Sequence, residues 1–198
     1  GGNIACNAGG PRCLKYGVTG DYVLGLTVVL ADGRVLKTGG KVIKDVVGMD
    51  LSALFTGSEG TLGIITEALL RLTAKPAYAR TALVEFASLP DACNTVNAIL
   101  SAGILPATLE LMDQTAITCI EEAMHLGLPM DIEAILLIEA DGSNLQAVTH
   151  EIETSAEICR NSGARMVTVA KDEVERAKLW KGRRSVSPAL ARKAPNKL

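Results

Sequence analysis

The chain has 198 residues, of which 48% are hydrophobic and 3% aromatic, and its formal net charge is −2. This length is enough to bury a core in one large domain or two small ones, and the composition excludes a low-complexity protein. The sequence shows no signal peptide and no apolar run of membrane-spanning length, so we expect no transmembrane segment.

The cysteines and the charge distribution exclude several further classes. The five cysteines are scattered, odd in number and without CxxC pairing. They predict neither a disulfide framework nor a zinc site, and they indicate a reducing, cytoplasmic location. Residues 176–198 carry eight of the 20 Lys and Arg and none of the 22 Asp and Glu. A nucleic-acid patch is one interpretation, but no aromatic interleaving or nucleic-acid motif supports it, so we expect a solvated helix face and no nucleic-acid partner.

The first part of the chain predicts a small sheet. An apolar run at 23–30 is typical of a strand, Asp32-Gly33 signals a turn, and residues 34–37 can return antiparallel. Asp50 is expected to cap a short helix over 51–55, and residues 63–72 are expected to form a strand. Lys75-Pro76 interrupts these patterns, so we place a domain boundary near Pro76.

Beyond this boundary, strand and helix patterns alternate. Strands are predicted at 81–87, 107–112, 132–139 and 165–170. Ser88 and Asp113 are candidate N-caps, Ser143 with Gln146 has the spacing of a capping box, and Asp172 opens a last helix that is expected to run through Trp180. This alternation predicts a β-sheet covered by helices on one face.

Two glycine-rich stretches are the most informative motifs. The first is Gly1-Gly-Asn-Ile-Ala-Cys-Asn-Ala-Gly-Gly10, and the second is Gly57-Ser-Glu-Gly-Thr-Leu-Gly-Ile-Ile-Thr66. Glycine lets the backbone approach a ligand closely or take a positive φ. Both stretches lead towards strand-like sequence, which favours backbone N–H groups facing an anionic or aromatic cofactor. For either loop alone, an ordinary tight turn is the alternative.

Together, the motifs resemble a known family. The run from Gly1 to Gly17, the segment Asp21–Gly33 and the run Ser58–Thr66 occur in a fixed order and spacing. They resemble the FAD-linked oxidases of the vanillyl-alcohol oxidase and p-cresol methylhydroxylase type. The nearest branch is the glycolate oxidase FAD subunit, with D-lactate and D-2-hydroxyglutarate dehydrogenases as relatives. The resemblance covers essentially the whole chain.

The resemblance implies an α+β fold in two domains. Residues 1–76 would be the C-terminal part of a two-subdomain FAD-binding domain. Residues 77–198 would be a ferredoxin-like-type substrate (cap) domain, incomplete at its C-terminus, with its sheet covered by helices. By comparison with the family, the chain is expected to be an internal fragment whose FAD site is incomplete.

The resemblance also implies which residues contact FAD. They are the loop positions that match the family's motifs: Gly1, Gly2, Asn7, Ala8, Gly9, Gly10, Glu59, Gly60, Thr61, Gly63, Ile64 and Ile65. For Asn7 and Glu59 the alternative is a side chain that caps its own loop. Cys6 and Cys13 flank the first loop, and we expect small buried cysteines rather than a covalent tether, so that FAD would be bound non-covalently.

Substrate binding is expected near the end of the chain. By resemblance to 2-hydroxyacid dehydrogenases, Arg183 matches a carboxylate-binding arginine, since a guanidinium recognises a carboxylate with two hydrogen bonds. Ser187 falls one helical turn later and matches a substrate-binding hydroxyl. A following substrate lysine aligns only approximately, near Lys197. Arg184 is expected to point elsewhere, as a surface cation, and a surface cation is also the alternative for Arg183.

No catalytic residue is expected within this chain. His125 and His150 lack partners at metal-ligand spacing, and the family's histidine cluster, for a metal or a catalytic base, lies beyond residue 198. The resemblance implies oxidation of a 2-hydroxy acid to a 2-oxo acid by hydride transfer to flavin. Iron-sulfur and FAD partner subunits of a glycolate oxidase complex could provide a membrane association. The alternatives are a non-catalytic fragment or interaction subunit, and a flavin-dependent alkyl transferase or alcohol oxidase.

Overall fold

The computed structural model describes residues 1–42 and 44–194, and it divides into two units between Lys75 and Pro76. The predicted substrate lysine near Lys197 therefore lies outside the described residues. Each unit has its own sheet and its own core. In the part of the chain that the structure describes, no helix combines the length and the apolar character needed to cross a bilayer.

The first unit is a three-stranded antiparallel sheet with short helices. Its elements are α1 (Gly2–Ala5), α2 (Cys13–Tyr16), a 3₁₀ turn (Thr19–Tyr22), β1 (Val23–Val29), β2 (Val35–Gly39), α3 (Leu51–Phe55) and β3 (Ile64–Leu70). The strand order is β2-β1-β3. The predicted hairpin and the predicted strand after the second glycine loop are confirmed. Asp50 caps α3 as predicted, because its Oδ1 accepts a hydrogen bond of 2.9 Å from the N–H of Ala53.

The core of the first unit is small. It consists of Ile4 from α1, Leu26 and Val28 from β1, and Phe55 from α3. Because Ile4 lies inside the first glycine stretch and Phe55 lies two residues before the second, this core anchors both stretches to the same sheet.

The second unit has a four-stranded sheet and four longer helices. Its elements are β4 (Tyr78–Phe86), α4 (Leu89–Ser101), β5 (Thr108–Asp113), α5 (Gln114–Met124), β6 (Ala134–Gly142), α6 (Leu145–Asn161), β7 (Ala164–Val169) and α7 (Glu173–Lys193). The strand order is β5-β6-β4-β7, and all neighbours are antiparallel. This is the strand order of a ferredoxin-like sheet, to which α5 and α7 are added, so the predicted α+β class is confirmed.

Helices cover both faces of this sheet, so the expectation of a one-sided sheet is wrong. One core cluster packs α4 and α6 against side chains such as Val84 and Leu136. The opposite cluster packs α5 and α7 against side chains such as Leu83 and Leu137. Neighbouring residues of a strand point to opposite faces, and the continuous apolar run of β6 is therefore buried on both sides.

Two helix boundaries also differ from the predictions. Helix α6 is capped by Asn144, whose Oδ1 accepts hydrogen bonds from the N–H groups of Gln146 and Ala147, and not by the predicted box that starts at Ser143. Helix α7 continues to Lys193, well beyond the predicted end at Trp180. The residues that it buries after Trp180 are small, so no apolar stripe marks this extension in the sequence.

Candidate functional site

Two backbone hydrogen bonds join the two glycine stretches. The N–H of Gly57 donates to the carbonyl of Ile4 at 3.0 Å, and the N–H of Glu59 donates to the carbonyl of Ala5 at 2.9 Å. The C-terminal end of α1 therefore accepts both bonds from the second loop. Segments more than 50 residues apart in sequence form one continuous surface within the first unit.

The side chain of Asn7 ties this surface to a third segment. Asn7 has a φ of 45°, and its Oδ1 accepts a hydrogen bond of 2.8 Å from the N–H of Gly20. Asn7 therefore does not cap its own loop, which was the alternative considered for it. Glu59 has a φ of 52° and is exposed. Left-handed backbone in a residue other than glycine costs energy and requires support from its surroundings. Here the support comes from the hydrogen bond of Gly20 to Asn7 and from the hydrogen bond of Glu59 to Ala5.

The glycines of this surface serve different purposes. Gly63 is required by packing, because a Cβ there would lie 2.6 Å from Cγ1 of Val28. Gly60 is required by its φ of 78°, although a Cβ would meet nothing within 4 Å. Gly2 and Gly10 have neither constraint, since an added Cβ at either position meets no atom of the described chain within 4 Å. The backbone at Gly2 and Gly10 is thus open to close approach by a flat or anionic group.

The predicted cofactor residues lie together on this surface. They come from α1, the loop that follows it, the second glycine loop and the start of β3. Most of them are exposed, including Ile64 at 63% of its surface, while Ala8, Gly63 and Ile65 are half-buried. A row of small residues between exposed apolar side chains suits an aromatic ring beside an anionic tail.

The expectation of small buried cysteines beside the first loop is wrong for Cys6, which is exposed. Cys13 is half-buried, and its Sγ accepts a hydrogen bond of 2.9 Å from the N–H of Gly10. Cys13 thus supports the turn of the first loop. Cys6 lies at the C-terminal end of α1, where the one-turn helix exposes its last side chain.

The second candidate site lies in the other unit, at Arg183 on α7. Its Nε donates to Oε2 of Glu110 on β5 at 2.5 Å, and the two side chains are 31% and 23% exposed. Both residues line a cavity of about 250 Å³ together with Met112, Asp113 and Val186. Asp113 caps α5 through the N–H of Ala116, so its carboxylate is already engaged.

A buried carboxylate holds α7 against the sheet one turn before Arg183. Glu139 on β6 is fully buried and accepts hydrogen bonds from Thr81 Oγ1 (2.8 Å), Arg176 Nε (3.0 Å) and Trp180 Nε1 (2.7 Å). Burial alone would raise the pKa of Glu139. The hydrogen bonds from Arg176, Thr81 and Trp180 and the charge of Arg176 outweigh this, so the pKa is lowered and the carboxylate stays ionised.

The other predicted substrate residues surround Arg183 on α7. Ser187 is exposed, one turn further along the helix. Arg184 is exposed and points elsewhere, with its guanidinium carbon 5.8 Å from the centroid of the Trp180 ring. Arg183 and Arg184 therefore point in different directions, as predicted. Their roles towards a substrate stay predictions.

Sequence reasoning missed Glu110 and Glu139. The one available signal was the spacing of Arg176, Trp180 and Arg183, which places them on one helical face and so predicts partners on the sheet below. The histidines show no sign of a metal site. His125 is the left-handed C-cap of α5, and within residues 1–42 and 44–194 no group of three or more His, Cys, Asp and Glu could hold a metal ion.

Two family profiles match the sequence. The profile described as "FAD linked oxidases, C-terminal domain" matches residues 75–197, and the profile described as "FAD binding domain" matches residues 1–39. The first match covers more than half of the chain. The two matches agree with the resemblance drawn from the glycine motifs.

Curated relatives are similar over nearly the whole chain. The glycolate oxidase subunit GlcD of Bacillus subtilis is 49% identical over 195 residues, which is 98% of this chain and 41% of that protein. A D-lactate dehydrogenase of Archaeoglobus fulgidus is 37% identical over 191 residues, which is 96% of this chain and 42% of that protein. The chain thus spans about two-fifths of the length of these relatives.

Solved structures share the fold. An alkyldihydroxyacetonephosphate synthase aligns with a TM-score of 0.71 at 21% identity, covering 96% of this chain and 38% of that one. The p-cresol methylhydroxylase crystallised with substrate aligns with a TM-score of 0.67 at 18% identity, covering 89% of this chain and 40% of that one. These two structures show that the fold is shared, while the family profiles and the curated relatives confirm the resemblance to FAD-linked oxidases.

Proposed function

The chain belongs to the FAD-linked oxidase family, and we propose that it forms part of an enzyme that oxidises a 2-hydroxy acid to a 2-oxo acid. The observation that carries this proposal is the half-buried Arg183, which lines a cavity and which the family resemblance implies is the carboxylate-binding arginine. The similarity to a glycolate oxidase subunit and to a D-lactate dehydrogenase supports the same substrate class.

The cofactor of this family is FAD, and we propose that residues 1–76 form the C-terminal part of the domain that binds it. When bound, FAD accepts the hydride. The joined glycine stretches fit such a group, because an added Cβ at Gly2, Gly10 or Gly60 would enter open space, and a ligand can therefore approach the backbone closely at these positions. The chain supplies the surface and the orientation.

Arg183 is proposed to bind the substrate carboxylate. Only Nε of Arg183 is hydrogen-bonded among the described residues, so its two Nη groups can donate to the two oxygens of a carboxylate. The hydroxyl of Ser187, one turn later, would assist. Binding of this kind orients the hydroxyl-bearing carbon, and residues 77–198 would then form the substrate (cap) domain.

Partners and location follow from the same proposal. The relative from Bacillus subtilis is described as a subunit, so the protein that contains this chain is proposed to work with further subunits that carry iron-sulfur or flavin groups. We place it in the cytoplasm because all five cysteines are free.

The test is anaerobic reduction of the flavin in the full-length protein by glycolate, D-lactate and D-2-hydroxyglutarate. We expect at least one of them to bleach the flavin, and Arg183→Ala to lower kcat/KM for that acid by about 10- to 150-fold, since a hydrogen bond to a charged group contributes roughly 1.5–3 kcal/mol. Arg183→Lys should restore part of the activity, because lysine keeps the charge without the two-pronged geometry.

The neighbouring residues supply the controls. Ser187→Ala should cost only about 0.5–1.5 kcal/mol of transition-state binding, the contribution of one neutral hydrogen bond. Arg184→Ala should remain near the wild type because its guanidinium lies over Trp180. A protein whose flavin is not reduced by any 2-hydroxy acid, or one that needs Arg184 and tolerates loss of Arg183, would contradict the proposal.

A further inference from the structure

We propose that Glu110 is a positioning residue, which fixes the plane of the Arg183 guanidinium so that its Nη edge faces the carboxylate of a 2-hydroxy acid. This inference rests on the proposed function of Arg183. It adds a residue that neither the glycine motifs nor the α7 sequence identifies, since Glu110 and Arg183 are 73 residues apart.

The backbone holds Glu110 in place. Alternate residues of a strand share a face, so Glu110 lies on the same face of β5 as Met112. Met112 belongs to the core cluster that contains Trp180 and Ala189 of α7. Glu110 is paired in register with Leu137 of the buried strand β6. Its carboxylate therefore extends from a rigid element towards α7, and its position does not depend on a loop.

The surroundings make the ion pair stronger than one on the surface. Leu111, Met112, Ala116 and Val186 line the cavity beside it, and both members are less than one-third exposed. Charges in such a partly apolar setting are screened less than charges in water. Elsewhere on α7, Lys193 pairs with Glu122 at 2.9 Å, but these side chains are 54% and 56% exposed.

The role of Glu110 follows from which nitrogen of Arg183 donates to it. A guanidinium can bind a carboxylate through the pair of Nη groups or through the edge formed by Nε and one Nη. Because Glu110 accepts from Nε, the remaining edge with both Nη groups is presented to the substrate. Fixing a long side chain before binding also removes part of the entropy cost of ordering it in the complex.

If Glu110 competed with the substrate for Arg183, its removal would change KM in the opposite direction. If Glu110 merely occupied the guanidinium and competed with the substrate, its removal would free Arg183 and lower KM. If Glu110 positions Arg183, its removal raises KM, and an amide that still accepts from Nε restores most of the effect.

The experiment is a double-mutant cycle in the full-length protein, with kcat and KM measured for the hydroxy acid that reduces the flavin. We expect Glu110→Ala to raise KM about 10-fold, with a smaller fall in kcat, and Glu110→Gln to stay within about 3-fold of the wild type. In an Arg183→Ala background, Glu110→Ala should change kcat/KM by less than about 2-fold, because the residue through which it acts is gone.

Glu122→Ala is the matched control, since it breaks an exposed ion pair that joins α5 to Lys193 of α7, away from Arg183, and its KM should equal that of the wild type. A lowered KM in Glu110→Ala, or a loss that is equally large with and without Arg183, would overturn the positioning role and leave the proposed function intact. If Arg183→Ala itself has no effect on kcat/KM, the proposed function and this inference both fail.

Discussion

The two units of this chain differ in how much of their sheets is buried. In the second unit, eight of the nine residues of β6 are buried, and helices pack on both faces of the sheet. In the first unit, five of the seven residues of β3 are exposed, and four buried side chains form the core. The comparison indicates that the second unit is built around its interior, whereas the first is built around an exposed surface suited to a ligand.

The largest expected effect is a difference in stability between the two units when each is produced as a separate fragment. A fragment of residues 76–194 should fold on its own and melt cooperatively, because it contains two complete core clusters and α7 to its end. Residues 1–75 alone should show no cooperative melt, since four buried side chains cannot offset the conformational entropy of 75 residues. Thermal melts followed by far-ultraviolet circular dichroism test both fragments. A cooperative melt of 1–75 without FAD would contradict the comparison.

Within the second unit, Glu139→Ala should be the most damaging single change. It leaves Arg176, Trp180 and Thr81 without their shared acceptor, and breaking a buried ion pair costs about 3–5 kcal/mol. Urea unfolding of the 76–194 fragment measures this loss. Glu122→Ala breaks the exposed ion pair between Glu122 and Lys193 of α7, and it should cost less than about 1 kcal/mol.

The same carboxylate predicts how stability responds to acid. Because the pKa of Glu139 is lower in the folded state, its stabilising interactions are present above the unfolded pKa of about 4.5 and are lost as the pH falls through the lowered folded value. The difference in stability between the wild type and Glu139→Ala should therefore shrink below that pH. A difference that stays constant down to the lowest pH tested would show that the charge of Glu139 is not involved.

A smaller effect is expected at alkaline pH from Cys159. Burial raises the pKa of this thiol from 9.0 to about 11, so its contribution to stability is present below pH 9 and is lost as the pH rises towards 11. The loss should not exceed roughly 2–3 kcal/mol. Melting temperatures of the 76–194 fragment between pH 8 and 11 should fall more steeply for the wild type than for Cys159→Ala. Parallel curves for the two proteins would exclude this contribution.

The smallest change in stability is expected for a substitution in the first unit, Gly10→Ala. The same substitution should have the clearest effect on FAD binding. Gly10→Ala adds a Cβ into open space, so the free energy of unfolding of the full-length protein should change by less than about 0.5 kcal/mol. If the backbone there faces FAD, the same methyl group should weaken FAD binding at least about 10-fold.

The matched control for Gly10→Ala is Gly40→Ala. Gly40 also has open space around an added Cβ and an unstrained φ, but it lies outside both glycine stretches. Fluorescence titration of the apoprotein with FAD should therefore separate the two variants. Equal affinities in both would remove Gly10 from the proposed FAD surface.

Local signals account for most of the fold that could be predicted from the sequence. Asp50, Ser88, Asp113 and Asp172 each cap the helix that follows, because a cap depends only on residues a few positions away. The two-sided burial was also indicated by the continuous apolar run of β6, although alternation with helices suggested a one-sided sheet.

The candidate sites were less predictable because they depend on distant pairs. The glycine stretches were recognised by their residues, but the hydrogen bonds that join them connect Ile4 with Gly57 and Ala5 with Glu59. The partner of Arg183 is on a strand that no local pattern links to α7. Such pairs follow from the strand order and from the packing of α7, neither of which is encoded in a short stretch of sequence.

The bonds from Gly57 and Glu59 to α1 have a consequence for the timing of order. Fixing the backbone of one residue costs roughly 1–2 kcal/mol of conformational entropy. Because the bonds form when the first unit folds, this cost arises during folding and does not reduce the affinity for a ligand that arrives later. In the full-length protein the surface would then be preorganised, and the Gly57 and Glu59 amides should exchange with deuterium more slowly than the exposed amide of Gly60, whether or not a ligand is bound.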